Sequence, residues 1–361
     1  MKIIQLIFSL TIGGAERLVV NLCNEQSINN EVLLITVLKE TPNSTFYKPQ
    51  LSKNVRHINL NCASGFAPTA FFKIFKIFQQ EKPAVIHSHL NTMLYCVFPA
   101  LYLNTTFIHT LHSVATKSVG FKQQKILNKW LYKSKRIVPI AISEECATSF
   151  KKFYNLNKIE IINNGVPVAQ KTHQFNAAKS ELQKLPEINF KIKFIHVSRF
   201  AAVKNQNVLI SVFNTLINEG APIALLVVGE GFENIKKEIQ LEKGIHLLGA
   251  RENPTDFIMQ SDCLVLTSLW EGMPMCALEA LSCGIPIVST PAGGMIDIIK
   301  SDVNGLLSEK FDQNSIKQTV IKMITKLQSN GYNKSEILAM HHNNYSIAKC
   351  SAAYLAAYEG A

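Results

Sequence analysis

The sequence predicts an α/β protein made of two doubly wound, Rossmann-like domains with a cleft between them. The first observation is size, because 361 residues, 47% apolar and 17% charged, suffice for two hydrophobic cores. The second is alternation: short β-branched runs and stretches of helical periodicity follow one another along most of the chain. This alternation indicates parallel sheets with helices on both faces, whose strands point their carboxyl ends at the cleft.

The first series of elements predicts an N-terminal domain of residues 1–168. Its strands are expected at Lys2–Phe8, Glu31–Leu38, Ala84–Ser88, Thr106–Leu111, Ile137–Ile142 and Lys158–Ile162. Its helices include Ala15–Cys23, Phe71–Gln80 and Glu144–Phe153. A turn cluster at Asn163–Pro167 ends the series, and the polar stretch Gln170–Glu187 contains no clear strand, so the domain boundary is expected there.

The second series predicts a C-terminal domain of residues 185–340. Its strands are expected at Ile192–Val197, Ile223–Val228, Ile245–Leu248, Cys263–Thr267 and Ile287–Ser289. Residues 341–361 form a last predicted helix, which carries Tyr345, Tyr354 and Tyr358. We expect this helix to return to the N-terminal domain and pack on it.

Positive charge is confined to the first half of the chain. Residues 1–168 hold 19 Lys and Arg against 8 Glu and no Asp, whereas residues 169–361 hold 18 basic and 18 acidic residues. The resulting excess of +11 in one half predicts an anionic partner for that half. It argues against a protein that binds nucleic acid along its whole surface.

The segment Phe121–Arg136 is the best candidate for contact with that partner. It contains six Lys and Arg and no acidic residue. Its apolar residues, which recur at helical spacing, are Ile126, Leu127, Trp130 and Leu131. This pattern is typical of a helix that lies on an anionic membrane surface. The apolar segment Phe71–Phe78, with two lysines, is the alternative, but it reads better as a core helix.

Cysteine usage and hydropathy predict a cytoplasmic protein that is peripheral on the inner face of the cytoplasmic membrane. The eight cysteines form no CxxC and no zinc-ligand spacing, so neither disulfides nor a metal site are expected. The first fifteen residues could be a signal peptide, but Gln5 interrupts the apolar run, which favours a buried strand. No window approaches the ~20 apolar residues of a membrane span.

A pair of glycines, Gly13 and Gly14, separates the first predicted strand from the first predicted helix. Glycine amides at a helix N-terminus can approach a phosphate without interference from a Cβ, although a tight turn explains the pair equally well. No GxGxxG occurs in either half, which disfavours a dehydrogenase.

Two basic and two acidic residues in the second half of the chain form the most specific candidate binding site. Arg199 and Lys204 follow the first strand of that half, where they could clamp a diphosphate; the alternative is two solvated cations. Glu271 and Glu279 flank the predicted start of a helix near Met275. One carboxylate could hold sugar hydroxyls and the other ribose hydroxyls, with the helix N-terminus facing phosphate between them.

Histidines end two neighbouring strands of the first half. His87 and His89 end one strand, on one face of it, and His109 and His112 end the next. No carboxylate lies nearby in the sequence, so hydroxyl or phosphate contact is favoured over zinc. Glu16, His87 and His89 are therefore the candidates for binding an acceptor, and no metal site is expected.

Together these motifs resemble the family-4 retaining glycosyltransferases, also called glycosyl transferases group 1, of the bacterial surface-polysaccharide type. The matching segments, in the family's order, are GGAER at 13–17, IHSH at 86–89, HTLHS at 109–113, AIS at 141–143, INNGV at 162–166, SRFAAVKNQ at 198–206, VVGEG at 227–231, LLGA at 247–250 and EGMPMCALEALSCGIPIVST at 271–290. The two glutamates followed by CGIP are the most specific part. The resemblance implies the GT-B fold.

The resemblance also implies roles for individual residues. Arg199 and Lys204 would hold the donor diphosphate, Glu271 would contact the donor sugar, and Glu279 would contact the ribose. The backbone amides of Met275 and Cys276 would face the phosphates. Pro274 stands where many members have Gly, so one possible N–H donor is lost.

Three further contacts follow from the same resemblance. Gly13 and Gly14 would approach the diphosphate or the acceptor, and His112 would reach the donor sugar. The segment from Gly249 to Arg251 would border the base. The family needs no metal cofactor.

The implied activity is that of a hexosyltransferase that moves a sugar from a nucleotide-diphosphate sugar to a glycan or lipid-linked acceptor. Its place would be cell-surface polysaccharide or lipopolysaccharide biosynthesis. Retention is expected, although a histidine base for inversion stays open. The alternatives are a non-hydrolysing nucleotide-sugar epimerase of the same fold and a non-catalytic binding protein with a decayed site.

Overall fold

The computed structural model describes residues 1–63, 67–117, 119, 122–185, 188, 191–232, 241–329 and 331–360, which divide into two compact units. Unit 1 consists of Met1–Val166 together with the end of the chain from Ile347. Unit 2 consists of Pro167–Ser346.

Unit 1 is a parallel seven-stranded sheet with helices on both faces. Its strands are β1 (Lys2–Ile7), β2 (Glu31–Leu38), β3 (Val55–Cys62), β4 (Val85–His89), β5 (Thr106–Leu111), β6 (Val138–Ala141) and β7 (Glu160–Ile161), in the spatial order β3-β2-β1-β4-β5-β6-β7. Its first helices are α1 (Gly14–Gln26), α2 (Pro68–Glu81), α3 (Pro99–Tyr102), α4 (Lys122–Lys133) and α5 (Glu144–Tyr154). Short 3-10 helices cover Asn43–Thr45, Lys48–Gln50, Leu90–Cys96 and Ala115–Lys117.

Unit 2 is built in the same way around a parallel six-stranded sheet. Its strands are β8 (Ile192–Val197), β9 (Ile223–Val228), β10 (Ile245–Gly249), β11 (Cys263–Leu266), β12 (Ile287–Ser289) and β13 (Gly305–Leu307), in the order β10-β9-β8-β11-β12-β13. Its helices are α6 (Phe175–Gln183), α7 (Gln206–Asn218), α8 (Pro254–Ile258), α9 (Met275–Cys283), α10 (Met295–Ile298), α11 (Gln313–Gln328) and α12 (Lys334–Tyr345), with a 3-10 turn at Ala202–Lys204. The last helix, α13 (Ile347–Glu359), belongs to unit 1.

Most of the strands form because their side chains are apolar on both faces. Every residue of β9 is buried, and so are six of the eight residues of β2. Such continuous apolar runs are typical of parallel strands covered by helices on both sides. In unit 1, α2, α3, α4 and α5 contribute to one apolar core, whereas α1 contributes to a second core on the other side of the sheet.

Both sheets reverse their winding direction at one pair of strands. The reversal lies between β1 and β4 in unit 1 and between β8 and β11 in unit 2. Ligands of doubly wound folds bind beyond the carboxyl ends of such strand pairs. The predicted α/β class with two doubly wound parallel sheets is confirmed, and the ends of the predicted strands coincide with the observed ones or differ by one or two residues.

The predicted domain limits need correction at both ends of unit 2. The segment after Val166 lies with unit 2, because Thr172 is bonded to Asp256. Asp256 is fully buried and accepts hydrogen bonds from the backbone nitrogen (3.1 Å) and the hydroxyl (2.5 Å) of Thr172. The first residues of the predicted last helix, from His341 to Tyr345, belong to α12 instead. The chain returns to unit 1 at Ile347, whose amide donates to the carbonyl of Val166 over 2.9 Å.

Replacing Asp256 tests whether the segment after Val166 is attached to unit 2 through Thr172. Asp256→Ala leaves the two Thr172 donors and the Asn253 amide (2.8 Å) without their acceptor, so we expect the free energy of unfolding of unit 2 to fall by about 3 kcal/mol. The chain has two tryptophans, so in a Trp130→Phe background the fluorescence of Trp270 reports unfolding of unit 2 in urea.

Glu219→Ala is the control, because this exposed carboxylate makes a surface ion pair with Lys317 at 2.5 Å. Such pairs contribute less than about 1 kcal/mol. Equal transitions for the Asp256 and Glu219 variants would contradict the assignment.

Candidate functional site

A paired cation and carboxylate lie at the winding reversal of unit 2. Lys204, after β8, and Glu271, after β11, form an ion pair with 2.7 Å between Nζ and Oε1. The hydroxyl of Ser268 donates to the same carboxylate oxygen over 2.5 Å. Glu271 is only 6% exposed, so its charge depends on these two partners. The sequence pointed to Lys204 and Glu271 but not to Ser268.

The loop after β8 is held in place by Gln206, at the start of α7. Its amide nitrogen donates to the Ser198 hydroxyl (2.8 Å) and to the carbonyl of Arg199 (2.9 Å). The Ser198 hydroxyl also contacts Nε2 of buried His196 at 2.8 Å. Neither Gln206 nor Ser198 was predicted to take part, because only their contacts across the fold mark them.

The loops after β8 and β11 are also joined to each other. The hydroxyl of Thr267 donates to the carbonyls of Lys204 (3.1 Å) and Asn205 (3.2 Å), and the amide of Leu269 donates to the carbonyl of Val203 over 2.8 Å. These bonds fix the backbones that carry the ion pair, so its position does not depend on the two flexible side chains alone.

Helix α9 begins beside this pair. Its first residue is Met275, its N-cap residue Pro274 makes no side-chain capping bond, and Glu279 is buried one turn further on. The pKa of the Cys276 thiol is raised to about 12, mainly by burial; the charge of Lys204 opposes the shift, and the charges of Glu271 and Glu279 contribute to it. The start of α9 therefore carries a neutral thiol and lies within the field of all three charged groups. The structure thus brings together Lys204, Glu271, Glu279, Met275 and Cys276.

Two close backbone approaches shape the same region. A Cβ on Gly229 would overlap the carbonyl of Ser198, and a Cβ on Gly294 would overlap the carbonyl of Gly272. Both positions therefore require glycine, since the overlapped atoms belong to rigid backbone next to the site.

Arg199 and the segment at Gly249 lie at the edge of the site. Arg199 is exposed and makes no ion pair with the residues that the structure describes. Gly249 has φ +75°, and a Cβ there would meet only open space. Arg251 is less available than predicted, because its guanidinium pairs with Glu181 at 2.5 Å and lies 5.6 Å from the ring of Phe257.

In unit 1, the glycine pair occupies the predicted place but already has an anion beside it. Gly13 is the N-cap residue of α1, and Gly14 is exposed. The Glu16 carboxylate folds back so closely that a Cβ on Gly13 would overlap it. A carboxylate is favoured at a helix N-terminus, so a phosphate approaching these amides has to compete with Glu16.

The prediction that His87 and His89 bind the acceptor needs correction, because both rings are fully buried. His87 lies 2.7 Å from the hydroxyl of Tyr358 through Nδ1 and 2.7 Å from that of Thr110 through Nε2. His89 lies 2.7 Å from Oε1 of Gln5 and 2.9 Å from Nε2 of His112. With all four ring nitrogens engaged inside unit 1, neither side chain presents an atom to a ligand.

These histidines are uncharged at neutral pH. Burial, reinforced by the neighbouring histidines, holds the pKa values of His87 and His89 well below the usual range. Burial also lowers the pKa of His109 to about 4 and that of His112 to about 3. His112 is half-buried and stands directly after β5.

Two searches for other kinds of site gave negative results. Among the residues that the structure describes, no three His, Cys, Asp or Glu side chains cluster in a way that could hold a metal ion. In the same part of the chain, no helix combines the length and the apolar character that spanning a membrane requires.

Comparison with known proteins gives matches in both units. The family model described as Glycosyltransferase Family 4 matches residues 12–170, and the model described as Glycosyl transferases group 1 matches residues 178–336. The chain is 27% identical over 260 residues to an uncharacterized glycosyltransferase of Methanocaldococcus jannaschii. That alignment covers 67% of this chain and 63% of the relative, so it spans less than two thirds of the relative's length.

A second relative and a solved structure match over nearly the whole length. The relative, 26% identical over 372 residues, is the N-acetylgalactosamine-N,N'-diacetylbacillosaminyl-diphospho-undecaprenol 4-alpha-N-acetylgalactosaminyltransferase of Campylobacter jejuni, with 97% of this chain and 98% of that protein covered. The structure is Anabaena HepE in complex with UDP, with TM-score 0.79, 19% identity and 100% of both chains covered. The fold is therefore GT-B. With the two family models matching in order along both units, the chain belongs to the family-4 glycosyltransferases.

Proposed function

We propose that this glycosyltransferase moves a hexosyl group from a nucleoside-diphosphate sugar to a glycan or lipid-linked acceptor in cell-surface polysaccharide or lipopolysaccharide synthesis, with retention of configuration. The observation that carries the proposal is the Lys204–Glu271 pair at the carboxyl ends of β8 and β11, beside the start of α9. Similarity to the Campylobacter enzyme, whose name specifies a diphospho-undecaprenol acceptor, supports the acceptor class.

The donor diphosphate would bind to three groups of unit 2. Arg199 is exposed and free to form a bidentate contact with phosphate. Lys204 has three N–H donors, so it can keep its contact with Glu271 and donate to a phosphate oxygen at the same time. The amides of Met275 and Cys276 add the positive end of α9, where the neutral thiol offers no competing charge.

The two carboxylates would then select the sugar parts of the donor. Glu271 has a second carboxylate oxygen besides the one that contacts Lys204 and Ser268, and this oxygen can accept from sugar hydroxyls. Glu279 would accept from the ribose hydroxyls. An ionised carboxylate can only accept hydrogen bonds. Each glutamate therefore binds a sugar hydroxyl that acts as the donor.

Catalysis would come mainly from charge stabilisation on the leaving diphosphate. Lys204 is held by Glu271 before the reaction starts, so it stabilises charge as it develops without rearranging, and Arg199 adds a second cation. The buried positions of His87 and His89 leave these histidines unable to act as a base for inversion, which favours retention with help from the leaving phosphate.

Removing the charges of this site should abolish most transfer. We expect Arg199→Ala, Lys204→Ala and Glu271→Gln each to lower the rate at least ~100-fold, because each removes a contact to the diphosphate or sugar. The measurement is transfer from nucleotide-sugar donors to lipid-linked or glycan acceptors, with folding checked by thermal melting.

Lys317→Ala and Glu219→Gln are matched controls for this experiment. They break another Lys–Glu pair of unit 2 whose lysine is also 21% exposed, and they should leave transfer unchanged. Near wild-type rates for the Arg199 and Lys204 variants would refute the site. Conversion of the donor without any acceptor would instead point to an epimerase.

Transfer should not depend on a metal ion. We expect the rate to stay within about twofold in excess EDTA, because Arg199 and Lys204 supply the positive charge that a divalent cation otherwise provides to a diphosphate. The comparison is between chelated enzyme and enzyme with added magnesium or manganese. Loss of activity in EDTA that either metal restores would overturn this part of the proposal.

Helix α4 would attach unit 1 to an anionic membrane, at the inner face of the cytoplasmic membrane. Of the predicted segment, Phe121 lies outside the described residues. Leu131 points into the core and Leu127 packs partly against it, whereas Ile126 is 70% and Trp130 51% exposed. The exposed basic residues of the segment are Lys122, Lys133, Lys135 and Arg136. Apolar side chains with cations around them suit an anionic lipid surface.

Vesicle sedimentation tests this attachment. The protein should bind anionic vesicles at low salt and leave them at high salt, because each cation near the surface contributes about 1 kcal/mol that salt screens. Ile126→Ser with Trp130→Ser should reduce binding about tenfold or more, since the buried apolar area is lost.

Ile28→Ser is the control variant. Ile28 is 65% exposed and follows α1, which packs on the opposite face of the sheet, so its replacement should not change binding. Equal binding to neutral vesicles, or no binding to either kind, would contradict the membrane assignment.

A further inference from the structure

A small polar cavity opens at the amino end of the unit 1 sheet, where β4, β5 and β6 begin. Its volume of about 290 Å³ lies at the lower end of the range for small-molecule sites. Along β5 it is roughly 20 Å from the carboxyl end of the sheet, because that strand has six residues. The cavity is therefore separate from the candidate groups at the carboxyl end. Its polar lining consists of Asn104, Thr105, Thr106, Lys135 and Arg136.

The two cations of this cavity have no acidic partner among the residues that the structure describes. Lys135 and Arg136 are both exposed and take part in no ion pair there. Elsewhere along the same end of the sheet, by contrast, Glu81 binds both Lys2 (2.6 Å) and Arg56 (2.9 Å). No acidic side chain belongs to the described lining of the cavity either. The cavity therefore keeps two positive charges that an anion can neutralise.

Neutral hydrogen-bond donors accompany the two cations. The side chains of Asn104 and Thr106 form no hydrogen bond with any residue that the structure describes, so both are available to a ligand. The Thr105 hydroxyl is already engaged, because it donates to the carbonyl of Pro83 over 3.1 Å. Phosphate oxygens accept from charged and neutral donors alike, and one guanidinium can contact two of them at once. The groups in the cavity therefore fit a phosphate.

The carbonyl end of α4 offers a different reason for cations at this place, because positive charge is favoured there. That end is already compensated. Lys133 lies in the last turn of the helix, and the following chain closes it: the amide of Ser134 donates to the carbonyl of Trp130 (2.9 Å) and that of Arg136 to the carbonyl of Leu131 (3.0 Å). The helix end also does not explain the hydroxyl and amide groups on the other wall of the cavity.

Exposed apolar side chains flank the cavity on both sides in the sequence. Helix α3, which ends two residues before Asn104, carries Phe98, Leu101 and Tyr102, all exposed. The rings of Phe98 and Tyr102 have their centroids 4.4 Å apart, so they form one patch. On the other side, the last turn of α4 carries the exposed Trp130. Tyr and Trp beside cations are typical of a membrane–water interface, whereas a site for a soluble anion does not require them.

We propose that this cavity binds the phosphate group of one anionic phospholipid, with Lys135 and Arg136 on the phosphate oxygens and with Asn104 and Thr106 as further donors. This inference rests on the proposed function, in which α4 attaches unit 1 to an anionic membrane. Its new content is a site for a single headgroup at the amino end of the sheet. A soluble phosphate compound shares the recognition chemistry, so the experiments separate the two sources.

A variant without any change of charge distinguishes a defined site from general electrostatic attraction. Asn104→Ala with Thr106→Val removes the two neutral donors and keeps every cation. Binding to vesicles of phosphatidylglycerol and phosphatidylcholine should fall at least about fivefold, the value of one hydrogen bond. Thermal melting checks that the variant folds. Unchanged vesicle binding would overturn the proposal, because attraction to a charged surface does not depend on these side chains.

Two charge variants test the cations, and both use exposed positions whose replacement leaves the fold intact. Lys135→Gln with Arg136→Gln removes the charges of the cavity. Lys39→Gln with Lys53→Gln removes the same charge near β2 and β3 and is the matched control. The cavity pair should lower binding to the same vesicles at least about tenfold more than the control pair, since only the former contacts the phosphate directly. Equal losses would refute the site.

Soluble probes identify the source of the phosphate. In the full-length protein, glycerophosphoglycerol, which is the phosphatidylglycerol headgroup without acyl chains, should shift the backbone NMR signals of residues 104–106, and acetate at equal ionic strength should not. Its affinity should be at least about tenfold weaker than that of the vesicles per phosphate, because the apolar patch then lacks a partner. Absence of these shifts would overturn the site. Equal affinity of inorganic phosphate and vesicles would overturn the assignment to a lipid.

The same titration separates this inference from the proposed membrane contact of α4. Ile126→Ser with Trp130→Ser removes the exposed apolar side chains of that helix and leaves the polar lining of the cavity unchanged. The shifts caused by glycerophosphoglycerol should persist in this variant even if its vesicle binding is lost. Shifts that disappear together with vesicle binding would show that the cavity is not a site of its own.

Discussion

Backbone pairing of β1 with β4 and of β8 with β11 fixes the positions of Gly13, Lys204 and Glu271 in this protein. At these pairs the connections leave the sheet in opposite directions, so the loops at the carboxyl ends separate and open a crevice. In unit 1 these loops carry Gly13 and the residues beyond His89; in unit 2 they carry Lys204 and Glu271. Strand order therefore determines where chemistry can occur, and side chains determine which chemistry it is.

The charges of Lys204 and Glu271 balance each other before any ligand arrives. Glu271 is almost completely buried, and an isolated carboxylate there would lose its solvation without compensation. Lys204 and Ser268 provide that compensation, and Gln206 and Thr267 hold the backbones that carry them. A ligand then meets a preorganised polar surface and does not have to assemble it.

Features that depend on a local residue pattern, such as the ends of strands, could be predicted from the sequence. Features that depend on contacts between distant residues could not. β2 and β9 were placed with correct ends because they are continuous apolar runs, whereas β3 was missed because it alternates polar and apolar residues at the sheet edge. Family motifs assigned Lys204 and Glu271 to one donor site, but the ion pair between them was not predicted. The burial of His87 was not predicted either, because its partner Tyr358 lies 271 residues away and no local spacing reveals that contact.

The division of unit 1 between two separate stretches of chain affects the order of events during synthesis. A ribosome makes residues 1–166 first, then all of unit 2, and only then Tyr354 and Tyr358. Until those two side chains arrive, Gln5, Gln26 and His87 each lack their contact with the Tyr358 hydroxyl, and Thr110 lacks its contact with that of Tyr354. Nascent chains usually fold from the N-terminus onward, but here the second unit can finish before the first. The first-made half of the protein is thus the last to be completed.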